Sequence, residues 1–288
     1  EVATLEVQTE RISRYEATNS LETVRPVLLI DEVPWGEIDD ISLVNTCSPD
    51  LAWIETGLRR TLYQWKHFPV DLVVSPVFRV GKRIKYTKGI GLDVKERQIK
   101  GESGTYVSSH SYEDQLATEE DLEKLHEPEF EYDRESSEEA LAVAEEVFDG
   151  LMDVELTGVE YLSGEIWDDI ARYRGPENLL LDLAIRPEFM HRIAESFMKI
   201  IESKFKRFEK LGLLGHSPLR LHCTAGATRE LPADDFDGSH VRRKDVWGRC
   251  SAQIFGSVSP EMHDEFDLAY NQRLFSDCGL LYYGCCEP

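Results

Sequence analysis

Short apolar runs alternate along this chain with segments of helical periodicity. The run Val27–Ile30 and the stretch 70–80 have the composition of strands buried on both faces, and 51–68 between them spaces its apolar side chains as a helix does. Further strands are predicted at 154–167, 219–226 and 280–283, and further helices at 118–126, 136–150, 187–212 and 259–279 and from Pro176. Strands that alternate with helices pair in parallel through crossover connections, which predicts an α/β fold.

A barrel is the parallel architecture that the sequence favours. The chain lacks the glycine-rich dinucleotide fingerprint and the phosphate loop that accompany nucleotide-binding open sheets. We therefore expect residues 1–288 to form a single (β/α)8 TIM-type barrel domain, although only five strands are clear in the sequence. Glycines and short alternating segments at about 81–117 predict a β-rich insertion.

Charge and composition exclude several classes of partner. The formal net charge is −23, from 55 acidic and 32 basic residues, and this balance repels nucleic acid. Apolar runs stay shorter than the ~18 residues that span a bilayer, so no membrane partner is expected. The six cysteines lack disulfide-framework spacing, which favours reduced thiols and a cytoplasmic location.

Polar side chains follow three of the predicted strands. They are Asp31 and Glu32, His222 and Cys223, and Cys285, Cys286 and Glu287. The carboxyl ends of barrel strands carry the reactive groups of such enzymes, so we expect these side chains at one mouth. Thiolates and imidazoles are the ligands that Zn²⁺ prefers, which makes a zinc site one hypothesis.

The metal ligands would be Cys285 and Cys223, with His222 and Cys286 as further candidates. Neighbouring strand residues point to opposite faces, so His222 and Cys223 both bind a metal only if the strand has already ended. The same condition applies to Cys285 and Cys286. The alternative is that these cysteines are small buried apolar residues.

Each of the other candidates has more than one interpretation. Asp31 and Glu32 are either acid–base groups or hydrogen-bonded strand ends. Glu287 is a further ligand, a partner of a ligand, or an ion-paired rim residue. Trp35 and Trp167 either bind substrate as an aromatic wall for a methyl donor or pack in the core.

The last part of the chain resembles the uroporphyrinogen decarboxylase-like superfamily. The segment 257–288, SVSPEMHDEFDLAYNQRLFSDCGLLYYGCCEP, carries Ser259-Pro260-Glu261 at a helix start, then Phe266 and Tyr270, then the strand LLYYGCC. The stretch DVWGRCSAQIFGSVSP at 245–260 resembles the loop before that helix. The resemblance implies a (β/α)8 barrel that continues beyond Pro288.

One branch of that superfamily implies zinc-dependent methyl transfer. Its members move methyl groups between corrinoids, thiols and methylated substrates, and use a His-x-Cys pair after this strand. Tyr283 stands here at the histidine place, where it would contact substrate, and Cys285 stands at the cysteine place. The implied partners are a methyl donor or acceptor and a corrinoid, either free or on a protein, and a homodimer stays an open alternative.

Two other functions compete with methyl transfer. The decarboxylase branch acts on a polycarboxylate without a cofactor, and follows its first strand with arginines that bind carboxylates. Asp31 and Glu32 occupy that place here and would repel propionates. Three arginines on or near a long loop could compensate for this repulsion: Arg242, Arg243 and Arg249. The second alternative is a non-catalytic barrel that binds a small molecule or a partner.

Overall fold

The computed structural model describes residues 1–100 and 108–284. Most of the chain outside the loops is helical. The helices are α1 Glu6–Asn19, α2 Ala52–His67, α3 Glu119–Leu122, α4 Arg134–Phe148, α5 Ile166–Arg174, α6 Pro176–Ile185, α7 Pro187–Lys210, α8 Pro260–His263 and α9 Ala269–Leu274. A π-helical turn, Asp264–Leu268, joins α8 to α9.

The strands form several small sheets. They are β1 Val77–Gly81, β2 Arg83–Lys88, β3 Glu96–Lys100, β4 Ser108–Tyr112, β5 Glu129–Asp133, β6 Asp153–Thr157, β7 Tyr161–Ser163, β8 Arg220–Leu221, β9 Thr224–Ala225, β10 Trp247–Cys250 and β11 Leu280–Tyr283. Strands β1 and β6 pair in parallel, and so do β7, β10 and β11, with β10 in the centre. The pairs β2–β5, β3–β4 and β8–β9 are antiparallel.

The predicted mixed α/β class is confirmed, whereas the closed barrel is not. Within residues 1–100 and 108–284, each sheet has two or three strands and none closes on itself. An isolated parallel bridge pairs Val159 with Leu214. Val159 lies in the sequence between β6 and β7, which belong to the two different parallel sheets. The predicted β-rich insertion is confirmed where it is described, since β2, β3 and β4 lie within 81–117.

The predicted strand at Val27–Ile30 is wrong. This segment forms no ladder, and its Leu28 side chain is 56% exposed. It is held instead by Asp71: the Leu28 N–H donates to Asp71 Oδ2 at 2.9 Å, and the Asp71 N–H donates to the Leu28 carbonyl at 2.9 Å. The backbone of Leu28 is thus hydrogen-bonded to one aspartate, and not to the neighbouring strand that the apolar run predicts.

The predicted parallel strand at 219–226 is a tight antiparallel hairpin, β8–β9. His222 and Cys223 form its turn, and His222 has a φ of 37°. The strand that enters the parallel sheet is β10, in the region predicted as loop. Its sequence, WGRC, contains no β-branched residue, yet all four residues are buried.

The helix predictions are largely confirmed. The apolar face of 187–212 is buried, including Met190, Phe197 and Phe205, and Thr118 with Asp121 forms the expected capping box of α3. Helix α4 begins earlier than predicted, because the Asp133 carboxylate caps it through the Ser136 N–H. Helix α5 is not predicted from the sequence: its first two residues lie in 154–167, which is assigned to a strand and the loop that follows it, and the remainder has no assignment.

The sheet β7–β10–β11 lies between two layers. One face packs against α5, α7 and α9 through Leu162 and Cys250, which belong to the largest buried cluster. Gly248 permits this approach, since a Cβ there would meet the Phe275 ring at 2.4 Å. On the other face, Trp247 packs against Leu221 of the hairpin and donates its Nε1–H to the Gly226 carbonyl at 2.9 Å.

Candidate active site

The hairpin face is the side of the β7–β10–β11 sheet that carries Ser163, Trp247, Arg249 and Tyr282, together with the β8–β9 hairpin packed on it. Strand register aligns its polar groups: Arg249 stands opposite Ser163 on one side and Tyr282 on the other. Residues that face each other across parallel strands point to the same side. Polar groups are therefore brought together near the carboxyl ends of three parallel strands.

Arg249 is the most buried cation of this face. Its side chain is 8% exposed and forms an ion pair with Glu165, just beyond β7. Its Nη1 also donates to Ser163 Oγ at 3.1 Å, and Ser163 Oγ donates to Glu165 at 2.7 Å. Arg249 Nε has no hydrogen-bond partner among the residues that the structure describes. A buried guanidinium held in this way has a fixed direction.

The hairpin adds an ion pair and a thiol. Arg220 of β8 pairs with Asp31, whose side chain is 19% exposed. Cys223 lies in the hairpin turn, with its Sγ 3.8 Å from the Tyr282 hydroxyl. Asp31 and Cys223, two of the residues predicted for one site, are thus held on the same hairpin.

A third arginine lies at the base of the hairpin. Arg79 of β1 places Nη1 2.6 Å from Glu160 and 3.1 Å from the Ser217 carbonyl, and its Nε is 3.8 Å from Glu155. Each of the three arginines of this region therefore has its own carboxylate partner. The charges largely cancel, so this region offers little net attraction to a polyanion.

Two predicted site residues, Trp35 and Trp167, pack against helices away from the hairpin face. Glu32 is exposed, and Trp35 packs on α2 with its ring 5.9 Å from Tyr63. Trp167 is fully buried in the helical layer, where its Nε1–H donates to the Phe266 carbonyl at 2.7 Å. Trp167 is a core residue in this structure, which is the packing alternative for that tryptophan.

Tyr283 points to the opposite side of the sheet from Tyr282. Its hydroxyl donates to Asp267 Oδ2 at 2.8 Å and lies 2.5 Å from His263 Nε2. Asp267 is fully buried, and this burial raises the pKa of its carboxyl group. This cluster fixes the end of β11 against the π-helical turn.

Cys285, Cys286 and Glu287 lie outside the described residues, so their predicted roles remain predictions. Among residues 1–100 and 108–284, no group of three His, Cys, Asp or Glu side chains is arranged to hold a metal ion. The described donors Cys223 and His222 do not form a zinc site by themselves.

Glu165, Arg220 and Tyr282 are not among the residues predicted from the sequence, and Arg249 is predicted only as a cation on or near a long loop. Arg249 was placed in a loop because β10 was not predicted, and Glu165 was assigned to the loop after a strand. Tyr282 carried a usable signal, since alternation along LLYY puts it on the opposite face from Tyr283. Arg220 precedes the buried Leu221 in β8, so the same alternation puts the two side chains on opposite faces.

The thiols are expected to differ in reactivity. Burial raises the pKa of the Cys250 thiol to about 12 and that of Cys278 to about 11, which leaves little thiolate at pH 8. The hydrogen bond to Glu55 also raises the pKa of Cys47, but this thiol is exposed. We expect iodoacetamide at pH 8 to alkylate Cys47 and spare the other two, and peptide mass spectrometry measures this.

Guanidinium chloride is the control for this labelling, because unfolding should make all of these thiols reactive. Alkylation of native Cys250 as fast as Cys47 would contradict the burial described here.

Comparison with known proteins identifies no relative: no family model matches the chain, and no curated protein or solved structure matches it. No helix in the described ranges is long and apolar enough to cross a bilayer.

Proposed function

We propose that this chain is a barrel enzyme of the uroporphyrinogen decarboxylase-like type that moves a methyl group between a methylated substrate or thiol and a corrinoid. The parallel order β7–β10–β11, covered by helices on one face, supports this fold, since it is an arc of the kind that barrels contain. The polar groups of the hairpin face lie near the carboxyl ends of these strands, where barrel enzymes carry their reactive residues.

One observation carries the proposal: the Cys223 thiol lies against the strand that leads to Cys285. Its Sγ is 3.8 Å from the hydroxyl of Tyr282, three residues before Cys285 in the sequence. The strand stays in register to its end, because the Gly284 N–H donates to the Cys250 carbonyl at 3.0 Å. The Cys223 thiol therefore lies beside β11, the strand that Cys285 follows in the sequence.

The charges of the hairpin face favour methyl transfer over decarboxylation of a polycarboxylate. Arg79, Arg220 and Arg249 are each paired with a carboxylate of this chain. A substrate with several carboxylates would have to displace these partners, whereas a neutral or cationic methylated substrate would not. Asp31 is the hairpin carboxylate that would orient such a cation.

Zinc is the part of the proposal that depends on Cys285 and Cys286. When bound by thiolates, zinc lowers the pKa of a ligand thiol and makes it nucleophilic at neutral pH. The Tyr282 hydroxyl would hold the Cys223 thiol in place. The ion pair with Glu165 keeps the Arg249 guanidinium oriented on the neighbouring strand β10.

Elemental analysis tests this proposal. We expect about one zinc ion per chain in the wild type, and severe loss in Cys223→Ala and Cys285→Ala, because each thiolate is one of few ligands. Cys47→Ala is the matched control, since Cys47 is an exposed thiol hydrogen-bonded to Ser48 rather than to the sheet.

Two outcomes would contradict the zinc site: a metal-free wild type that still transfers methyl groups, and a Cys223→Ala variant with its zinc intact. A metal-free chain that releases carbon dioxide from a polycarboxylate would support the decarboxylase alternative. Methylated corrinoid, followed by its visible spectrum, distinguishes the methyltransferase from a barrel without catalytic activity.

A further inference from the structure

A pocket of about 320 Å³ lies between the β-rich insertion and helices α5 and α7. None of its lining residues belongs to the hairpin face. Most of its wall is apolar or aromatic: Ile90, Leu92, Tyr173, Phe197, Ile200 and Ile201. Its size is at the lower end of the range that small-molecule sites occupy, and its wall has their usual composition.

Lys204 supplies a cation to this apolar wall. It is partly buried, and the loss of solvent lowers the pKa of its ammonium group. Within the described chain, no carboxylate oxygen lies within the 4.0 Å of an ion pair, and its one close aromatic neighbour is Phe208, at 5.6 Å. The Asp169 carboxylate acts on this ammonium only from beyond ion-pair distance, so the partial burial of Lys204 is not fully compensated unless a ligand supplies a closer anion.

The remaining polar groups of the pocket do not satisfy Lys204. Asp169 lines the same pocket and attracts Lys204 from a distance, but its ion pair is with Arg172, 3.8 Å away. Asp93 and the hydroxyl-bearing rings of Tyr86 and Tyr173 complete the polar lining. The ammonium is therefore the group best placed to receive an acid from outside the chain.

We propose that this pocket binds an apolar small molecule that carries one carboxylate or sulfonate group. The apolar body packs between the insertion and α7, and the acidic group pairs with Lys204. The apolar wall supplies the affinity through buried area, and the single cation selects for an acid over a neutral molecule of the same shape. The inference is independent of methyl transfer, because it uses none of the residues of the hairpin face.

Fluorescence of the aromatic sulfonate 8-anilinonaphthalene-1-sulfonate tests the site on the full chain. We expect one saturable site, displaced by octanoate, with about tenfold weaker binding in Lys204→Met, because a charge-assisted contact is lost while the apolar stem is kept. Lys199→Met is the matched control. Lys199 lies on the same helix, 67% exposed and 3.9 Å from Glu195, so its loss should leave binding unchanged.

The neutral amide octanamide measures the selectivity for an acid. It should displace the probe much less effectively than octanoate from the wild type, and about as well as octanoate from Lys204→Met. A probe that fails to saturate one wild-type site, equal binding by Lys204→Met and wild type, or octanamide as effective as octanoate on the wild type would each overturn the proposal. Lys204→Gln, checked for native circular dichroism, replaces the methionine variant if that one does not fold.

Discussion

Trp167→Ala should lower the free energy of unfolding by about 3–5 kcal/mol. The Trp167 side chain is fully buried, and its ring lies 5.1 Å from Phe255 and 5.9 Å from Phe266. The substitution removes these ring contacts, leaves a cavity, and deprives the Phe266 carbonyl of the Nε1–H that it accepts. Chemical denaturation followed by far-UV circular dichroism measures the loss.

Trp53→Ala is the matched control for that loss. The Trp53 side chain is 44% exposed and contacts the Phe78 ring at 5.8 Å, so we expect a loss of about 1 kcal/mol or less. Equal losses for the two tryptophans would show that the burial of Trp167 is not as described here.

Arg174→Met should cost about 3–5 kcal/mol, because it leaves a buried carboxylate without its main partner. The Arg174 side chain is 7% exposed and places Nη2 2.7 Å from Asp182, which is 5% exposed. Arg174 also pairs with Asp114, so it ties α5 and α6 to the segment after β4. Once Arg174 is gone, Asp182 keeps only the Arg186 guanidinium, at 3.3 Å, as an ion-pair partner within the described chain.

Arg172→Met, two residues earlier on the same helix, is the control for charge alone. Arg172 is 52% exposed, and its partner Asp169 lies 3.8 Å away with 44% of its side chain exposed. Exposed pairs contribute about 0–1 kcal/mol, so the midpoint of denaturation should hardly change. If Arg172→Met destabilises the protein as much as Arg174→Met, the burial of the second pair does not explain its effect.

The helices were predictable because their signals are local. Pro176 and Pro187 each stand in the first turn of a helix, and Thr118 with Asp121 caps α3. The apolar spacing of α7 identifies its buried face without any knowledge of its neighbours.

The strands were harder to predict because their partners are distant in sequence. Val27–Ile30 is as apolar as a buried strand, but only the structure reveals that Asp71 holds its backbone. Strand β10 is the opposite case, because its sequence WGRC has little strand propensity. It is nevertheless the central strand, since β7 pairs with it on one side and β11 on the other. Tertiary pairing overrides propensity in both cases.

The candidate site was predictable only in part. Asp31 and Cys223 were expected together as the ends of two parallel strands, and they are held on one hairpin instead. The contact between Arg249 and Glu165 was not expected, because it depends on the alignment of β7 with β10. Residue type singled out Asp31 and Cys223 as candidates, whereas the contacts around them depend on strand pairing that the sequence does not reveal.

Arg249 of the hairpin face and Arg220 of the hairpin are each paired with a carboxylate of this chain, and that carboxylate competes with any incoming acid for the guanidinium. Glu165 already occupies the Arg249 guanidinium, and Asp31 occupies that of Arg220. An acidic ligand binds an arginine here only by displacing one of these carboxylates. The arginines are therefore an anion site that the chain's own carboxylates occupy. Changing one carboxylate to its amide would release a cation, and a single substitution of this kind would favour acids over the methylated substrates proposed here.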